Sequence, residues 1–251
     1  MKVQISEQKL EAIASIPDSG IVRPGNIPVT VYLQEARNLY NWCQADREAL
    51  TANGLDWSFV DDIPAREAAL RNAQSAWAAA RRSNEEAERA WLEKAPRGVQ
   101  LRNDLLRSIK FAFAKNQAVK GSFASIKKSG AYAGVIQNLN DLSVIGKGNE
   151  EILKRIRFDM SKLDLAAVTA SEMAALLGQV TTERAFSNGA MKYRDQAFTH
   201  LKEAVDEVKS FGRFLFYNDG SRIKGYSSEY KRRYRKKLES QKSTEEKPAN
   251  Q

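Results

Sequence analysis

The chain has a single cysteine and a single histidine among its 251 residues, and these two scarcities remove much of the chemistry open to a protein of this length. Cys43 alone excludes an internal disulfide framework and a cysteine-based metal cage, because either needs several thiols. His200 alone leaves no histidine pair for a zinc site and no Cys–His nucleophile, and it cannot furnish both Glu-x-x-His motifs of a di-iron bundle. Alternating β-branched runs are also missing, so the pattern excludes a sheet and predicts an all-α fold. No run approaches the ~18 apolar residues that a membrane-spanning helix requires. The N-terminus places Glu7, Lys9 and Glu11 where a secretory peptide needs an unbroken apolar core, so a cytoplasmic location is expected.

What is present is a hydrophobic content of 42% beside 28% charge, too apolar for wholesale disorder. The net charge of +9 is unevenly placed. From Gly220 onward there are ten Lys or Arg against four Glu, so this tail carries +6 and the preceding residues +3. The body is nearly neutral and the tail basic.

Residues 1–29 begin with a short helix near Glu7 to Ser15, followed by a loop punctuated by Pro17, Gly20, Pro24, Gly25 and Pro28. From Thr30, read as an N-cap, the residues Tyr32, Ala36, Leu39, Cys43 and Leu50 recur at helical spacing until Asn53-Gly54 stops them. A second helix is predicted from Asp61-Asp62-Ile63-Pro64 to about Ala95, with Ser83-Asn84-Glu85-Glu86 as a point where it restarts. Its seam holds Leu70, Trp77, Asn84 and Trp91 at seven-residue steps, with Ala73, Ala80 and Ala87 between them. Large and tiny residues alternating on one stripe let a neighbouring helix approach closely, so Leu70, Trp77 and Trp91 are candidates for core or partner contact. Pro96-Arg97-Gly98 is read as a break before a third helix ending near Asn116.

The motif Lys110 to Asn116 (KFAFAKN) has a near-copy about 103 positions later, Arg213 to Asp219 (RFLFYND). The same step pairs Leu39 with Leu142, Leu50 with Leu153, Asp56 with Asp159 and Ser58 with Ser161. A tandem duplication produces such pairs, and so do two amphipathic helical segments that fall in register by composition. Under the first origin the units are residues 30–120 and 121–220, about three helices each, in long antiparallel helices forming an elongated bundle. Residues 221–251 then form a basic, partly disordered tail. Helices of the second unit are expected near 135–156, 164–198 and 200–217. Gly146 and Gly148 split the first, and the other two either run on through Thr199-His200 or turn at Asn188-Gly189. The Gly- and Ser-rich stretch 121–134 is the boundary between the units.

Each remaining candidate for chemistry has an ordinary structural reading. Gly146-Lys147-Gly148 lacks the spacing and the strand-to-helix context of a phosphate-binding loop. Asp61-Asp62 and Glu85-Glu86 stand where a helix start favours negative charge. No catalytic residue, metal or cofactor is therefore implied, and no small-molecule substrate is identified. The segment Gly225 to Leu238 (GYSSEYKRRYRKKL) spaces Tyr226, Tyr230, Tyr234 and Leu238 four apart beside Lys231, Arg232, Arg233, Arg235, Lys236 and Lys237. Those six cations are the candidate polyanion-binding residues.

The ending LKEAVDEVKSFGRFLFYNDGSRIKGY and the Ala-rich, Trp-spaced helix resemble segments of uncharacterised bacterial proteins built from tandem helical hairpins. The resemblance implies a helical repeat and carries no activity. The expected function is a non-enzymatic helical interaction or scaffold protein that binds a protein partner or itself. The alternative is binding of nucleic acid or another polyanion through the tail, with a membrane surface the least favoured partner.

Overall fold

The computed structural model describes residues 5–25, 27–114, 126 and 130–245. Among these there are eight α-helices and no strand, as the absence of alternating patterns predicts. In chain order they are α1 Glu7–Ala14, α2 Val29–Ala45, α3 Arg47–Ala52, α4 Ser58–Phe113, α5 Tyr132–Lys147, α6 Glu150–Lys154, α7 Ser161–Leu215 and α8 Glu229–Glu245. The expected boundary stretch 121–134 lies mostly outside the described residues, as do Lys115 and Asn116 of the repeated motif and the last six residues of the chain.

The two dominant helices, α4 with 56 residues and α7 with 55, are longer than their sequence punctuation predicts. At ~1.5 Å per residue each extends about 80 Å. The expected break at Pro96-Arg97-Gly98 does not occur, nor does a restart at Ser83. Pro96 and Leu92 both face solvent, so the Leu92 carbonyl that loses its intrahelical donor is open to water. Gly98 faces inward, where a β-carbon would stand 2.1 Å from Met173 Sδ. Glycine here admits a packed neighbour and does not end the helix. α7 runs equally straight on through Gly189 and Thr199-His200. It also contains an 18-residue window of mean hydropathy 1.2, a third of it buried, so by length and composition alone this helix reaches what a bilayer span requires.

Other boundaries shift by a few residues. α2 starts at Val29 after Pro28, which places Thr30 in the first turn and not at the N-cap. The single helix expected through Leu50 is divided at the buried Asp46. α4 starts three residues ahead of Asp61, where Asp56 Oδ1 accepts the Ser58 N–H at 2.9 Å. Gly54 does stop α3, in the left-handed conformation with φ 97°.

The chain forms two compact units that do not follow the sequential division at residue 120. Unit 1 comprises residues 1–79 and 188–251, and unit 2 residues 80–187. α4 and α7 each give one part to either unit. In unit 1 the first turns of α4 pack with the last turns of α7, around Leu39, Leu50, Val60, Leu70, Leu201 and Val208. In unit 2 the last turns of α4 pack with the first turns of α7, around Leu105, Ile109, Leu142, Leu153, Leu163 and Met173. Burying each such side chain is worth ~1.5–3 kcal/mol before chain entropy opposes it.

Element starts recur at a constant step. Val29 and Tyr132, Arg47 and Glu150, and Ser58 and Ser161 open α2 and α5, α3 and α6, and α4 and α7, each pair 103 residues apart. Asp159 Oδ1 accepts the Ser161 N–H at 3.1 Å, as Asp56 does for Ser58. Among the described residues the non-glycine residue with positive φ is Arg157 at 55°, 103 positions after Gly54. Phe111 and Phe214 are both about three-quarters exposed, while Phe113 and Phe216 are both buried.

The start of the tail is part of unit 1. Tyr226 is fully buried, stacks on Phe216 at 5.4 Å and donates its hydroxyl to Asp46 Oδ2 at 2.8 Å. The basic tail expected from residue 221 is therefore anchored in unit 1 at its first turns. An apolar ring with one hydrogen bond to place is held by a core that offers a buried carboxylate. α8 follows, capped by Ser228, whose Oγ accepts the Lys231 N–H at 3.2 Å.

Candidate anion-binding site

In the last part of α7 the residues Phe198, Lys202, Asp206, Lys209 and Arg213 follow one another at steps of three or four and so share one helical face. Two further segments of unit 1 wall that face. The N-terminal segment is tied down where Gln196 Nε2 donates to the carbonyls of Ala14 and Ile16 at 3.0 and 2.8 Å, and where the Val22 N–H donates to Thr199 Oγ1 at 2.9 Å. The C-terminal segment is tied down through Tyr226 and through Glu35. Glu35 Oε1 accepts the Ser228 hydroxyl at 2.9 Å and the Tyr230 N–H at 3.0 Å.

Between these walls is a cavity of about 440 Å³, within the ~300–1,000 Å³ usual for small-molecule sites. Its apolar lining consists of Val22, Ile27, Tyr32 and Phe198, of which Tyr32 and Phe198 are buried and Val22 is exposed. The Tyr32 and Phe198 rings meet at 4.8 Å between centroids. Its charged lining consists of Arg23, Lys202, Lys209, Arg213, Lys231 and Arg235, against the single carboxylate of Asp206.

Two of the six cations are neutralised. Lys202 pairs with Asp206, and Lys209 pairs with Glu35 at 3.4 Å. Burial lowers the Lys209 pKa, and the Glu35 carboxylate works against that loss. Among the described residues Arg23, Arg213, Lys231 and Arg235 make no ion pair, and Arg213 Nε donates only to the Lys209 carbonyl. The Tyr32 hydroxyl is enclosed and has no hydrogen-bond partner. Burial raises its pKa, with Asp206 and Glu35 adding to the effect, so it stays protonated.

Of the six tail cations singled out from sequence, Lys231 and Arg235 line this cavity. Arg232 lies over a second hollow beside Glu35 and Trp42. Arg233 pairs with Glu229, and Lys236 and Lys237 face solvent. Sequence reasoning missed Arg23, Lys202, Lys209, Arg213 and Tyr32. A signal existed for three of them, since Lys202, Lys209 and Arg213 fall at steps of seven and four on the stripe of Phe198. Arg23, in an irregular segment, gives no such signal.

The aromatic seam is interior. Leu70 is fully buried in unit 1 and Trp91 is buried in unit 2, where it meets Tyr132 edge-on at 4.8 Å. Trp77 is half-buried under the Arg194 guanidinium, 4.2 Å from the ring centroid.

The other candidates have structural partners. Lys147 pairs with Asp164, Asp62 with Lys9 and Arg66, and Glu85 with Arg81. Burial pushes the Cys43 thiol up to about 12, which leaves it inert. Burial also pushes His200 down to about 4, with Arg66 and Lys9 adding to the shift and Glu203 opposing it. No group of three His, Cys, Asp or Glu suited to a metal ion exists among the described residues. No family model, curated protein or solved structure matches the chain.

Proposed function

We propose that this protein is a non-enzymatic binder of polyanions, nucleic acid first among them, acting through the cationic face of unit 1. The observation that carries this reading is the group of four rim cations, Arg23, Arg213, Lys231 and Arg235, that have no ion pair around one cavity. Guanidinium and ammonium groups left without carboxylate partners are free to neutralise phosphate. The site differs from a simple tail mechanism because half of that rim belongs to the body.

Arg23, Arg213, Lys231 and Arg235, each neutralising one phosphate of a duplex, give a log-log salt slope of roughly −4 by counterion release. Fluorescence anisotropy with a labelled 20-base-pair duplex measures it. Substituting Arg213, Lys231 and Arg235 with Gln should bring the slope to about −1. Charge substitution is the right test because truncation at residue 220 would also remove Tyr226 from the core of unit 1. Failure of the full chain to bind duplex or single strands at low salt sinks the reading.

The step of 103 residues between element starts supports a second part of the proposal, that the chain is one helical unit written twice. A scaffold reading, with self-association of the chain, is favoured by Leu165, Val168 and Phe186 of unit 2, each more than half exposed. Sedimentation velocity across a hundredfold concentration range tests it. A single sedimentation coefficient, unchanged by Leu165→Gln with Val168→Gln, would eliminate it.

A further inference from the structure

We infer that the cavity of unit 1 is a seat for a nucleotide, an aromatic ring carrying two or three phosphates, bound as a small molecule. This rests on the reading of its rim as anion-binding and adds the chemical class of the ligand. The two halves of the lining differ in kind. Val22, Ile27, Tyr32 and Phe198 give the lining an apolar part that a bare phosphate or a sulfate cannot use, Val22 at the exposed edge and Tyr32 and Phe198 buried behind it. An inorganic anion would leave that apolar surface wet, and an apolar ligand would leave four cations unpaired. A molecule with a flat apolar end and a multiply charged end satisfies both at once.

Size and charge agree with this class. About 440 Å³ accommodates a single nucleotide-sized ligand and no folded partner. The lining carries six cations and one carboxylate, and Glu35 offsets Lys209, so the remaining excess of four matches the three to four negative charges of a di- or triphosphate. Arg213 and Lys231 come to the rim from two different segments, α7 and the first turn of α8. A phosphate chain bound by both would tie α8 to the body.

Isothermal titration of the full chain with ATP, pyrophosphate and dodecyl phosphate tests the inference. ATP should bind at least tenfold more tightly than pyrophosphate, because only ATP covers the apolar part of the lining, and more tightly than dodecyl phosphate, which has too little charge for the rim. Arg213→Gln with Lys231→Gln should weaken ATP at least tenfold. Lys110→Gln with Lys162→Gln removes the same charge from unit 2 and should change ATP affinity less than twofold. No ATP binding at 1 mM overturns the inference. So does equal affinity for ATP and pyrophosphate, tighter binding of dodecyl phosphate, or an equal loss in both double variants. The duplex experiment is scored separately. ATP binding without duplex binding leaves the seat and removes the polymer reading, and duplex binding without ATP binding does the reverse.

Discussion

Nearly all positions 103 residues apart fall in opposite units, yet only some of them are filled alike. Deep positions agree in character: Leu50 and Leu153, Val60 and Leu163, Leu70 and Met173, and Leu105 and Val208 are all fully buried. The cavity face diverges. Lys202 and Lys209 of unit 1 stand where unit 2 has Val99 and Leu106, and Phe198 where it has Ala95. The unit 1 face is walled by Val22, Arg23, Gly25 and Ile27 and by Tyr226 to Ser228 with Lys231 and Arg235, which lie outside the recurring elements. The cavity therefore lies where the matched positions differ, while the buried positions keep their apolar character.

The largest effects should test whether the two cores are equivalent. Leu70→Ala and Met173→Ala, at matched positions with no exposure in either unit, each leave a cavity and should each cost about 2–5 kcal/mol. Urea unfolding of the full chain, together with amide exchange in the unit concerned, measures both. A cost above 2 kcal/mol at one position and below 0.5 kcal/mol at the other would break the equivalence.

A second difference between the units is acid sensitivity. His200 is 15% exposed beside Arg66, whereas its match in unit 2, Arg97, is exposed at the surface. Its folded pKa near 4 lies below the ordinary 6.5, so the unfolded chain takes up the proton first as the pH falls. The stability it contributes is complete above about pH 6.5 and is lost between 6.5 and 4, on the order of 3 kcal/mol. Carboxylates titrate in the same range, so the useful quantity is the difference between the wild type and His200→Gln, measured by urea unfolding at pH 7 and 4.5. That difference should shrink at the lower pH, and a constant difference would mean that His200 is solvated.

Composition and period made the fold class legible because helical spacing survives in nearly every segment, and the Asp-x-Ser starts at Asp56 and Asp159 are local signals. Helix length was not legible. Pro96 and Gly98 carry the same sequence signal whether a helix ends there or not, and the outcome rests on an exposed Leu92 carbonyl and on Met173, 75 residues away. Lys231 and Arg235 were visible as charge. Their partners Arg23 and Arg213 were not, because the cavity is closed by contacts such as Gln196 with Ala14 and Tyr226 with Asp46, which span about 180 residues.

The smallest and sharpest contrast compares one glycine from each unit. In unit 1 a β-carbon on Gly212 would stand 2.0 Å from Tyr226 Cδ1 and 2.3 Å from Cγ, and in unit 2 one on Gly98 would stand 2.1 Å from Met173 Sδ. The distances are nearly equal, but the neighbours differ. Tyr226 is a rigid ring, fully buried and fixed by the Asp46 hydrogen bond, while a thioether chain can change rotamer. Alanine in a helix interior gains about 1 kcal/mol over glycine, and overpacking costs about 1–3 kcal/mol. Gly98→Ala should thus be close to neutral, and Gly212→Ala should lose about 1–2 kcal/mol in urea unfolding. The sign should then reverse on a second change: in a Tyr226→Ala background the ring is gone, and Gly212→Ala should stabilise by up to about 1 kcal/mol. If Gly212→Ala costs the same with and without the ring, Tyr226 is not what the glycine accommodates.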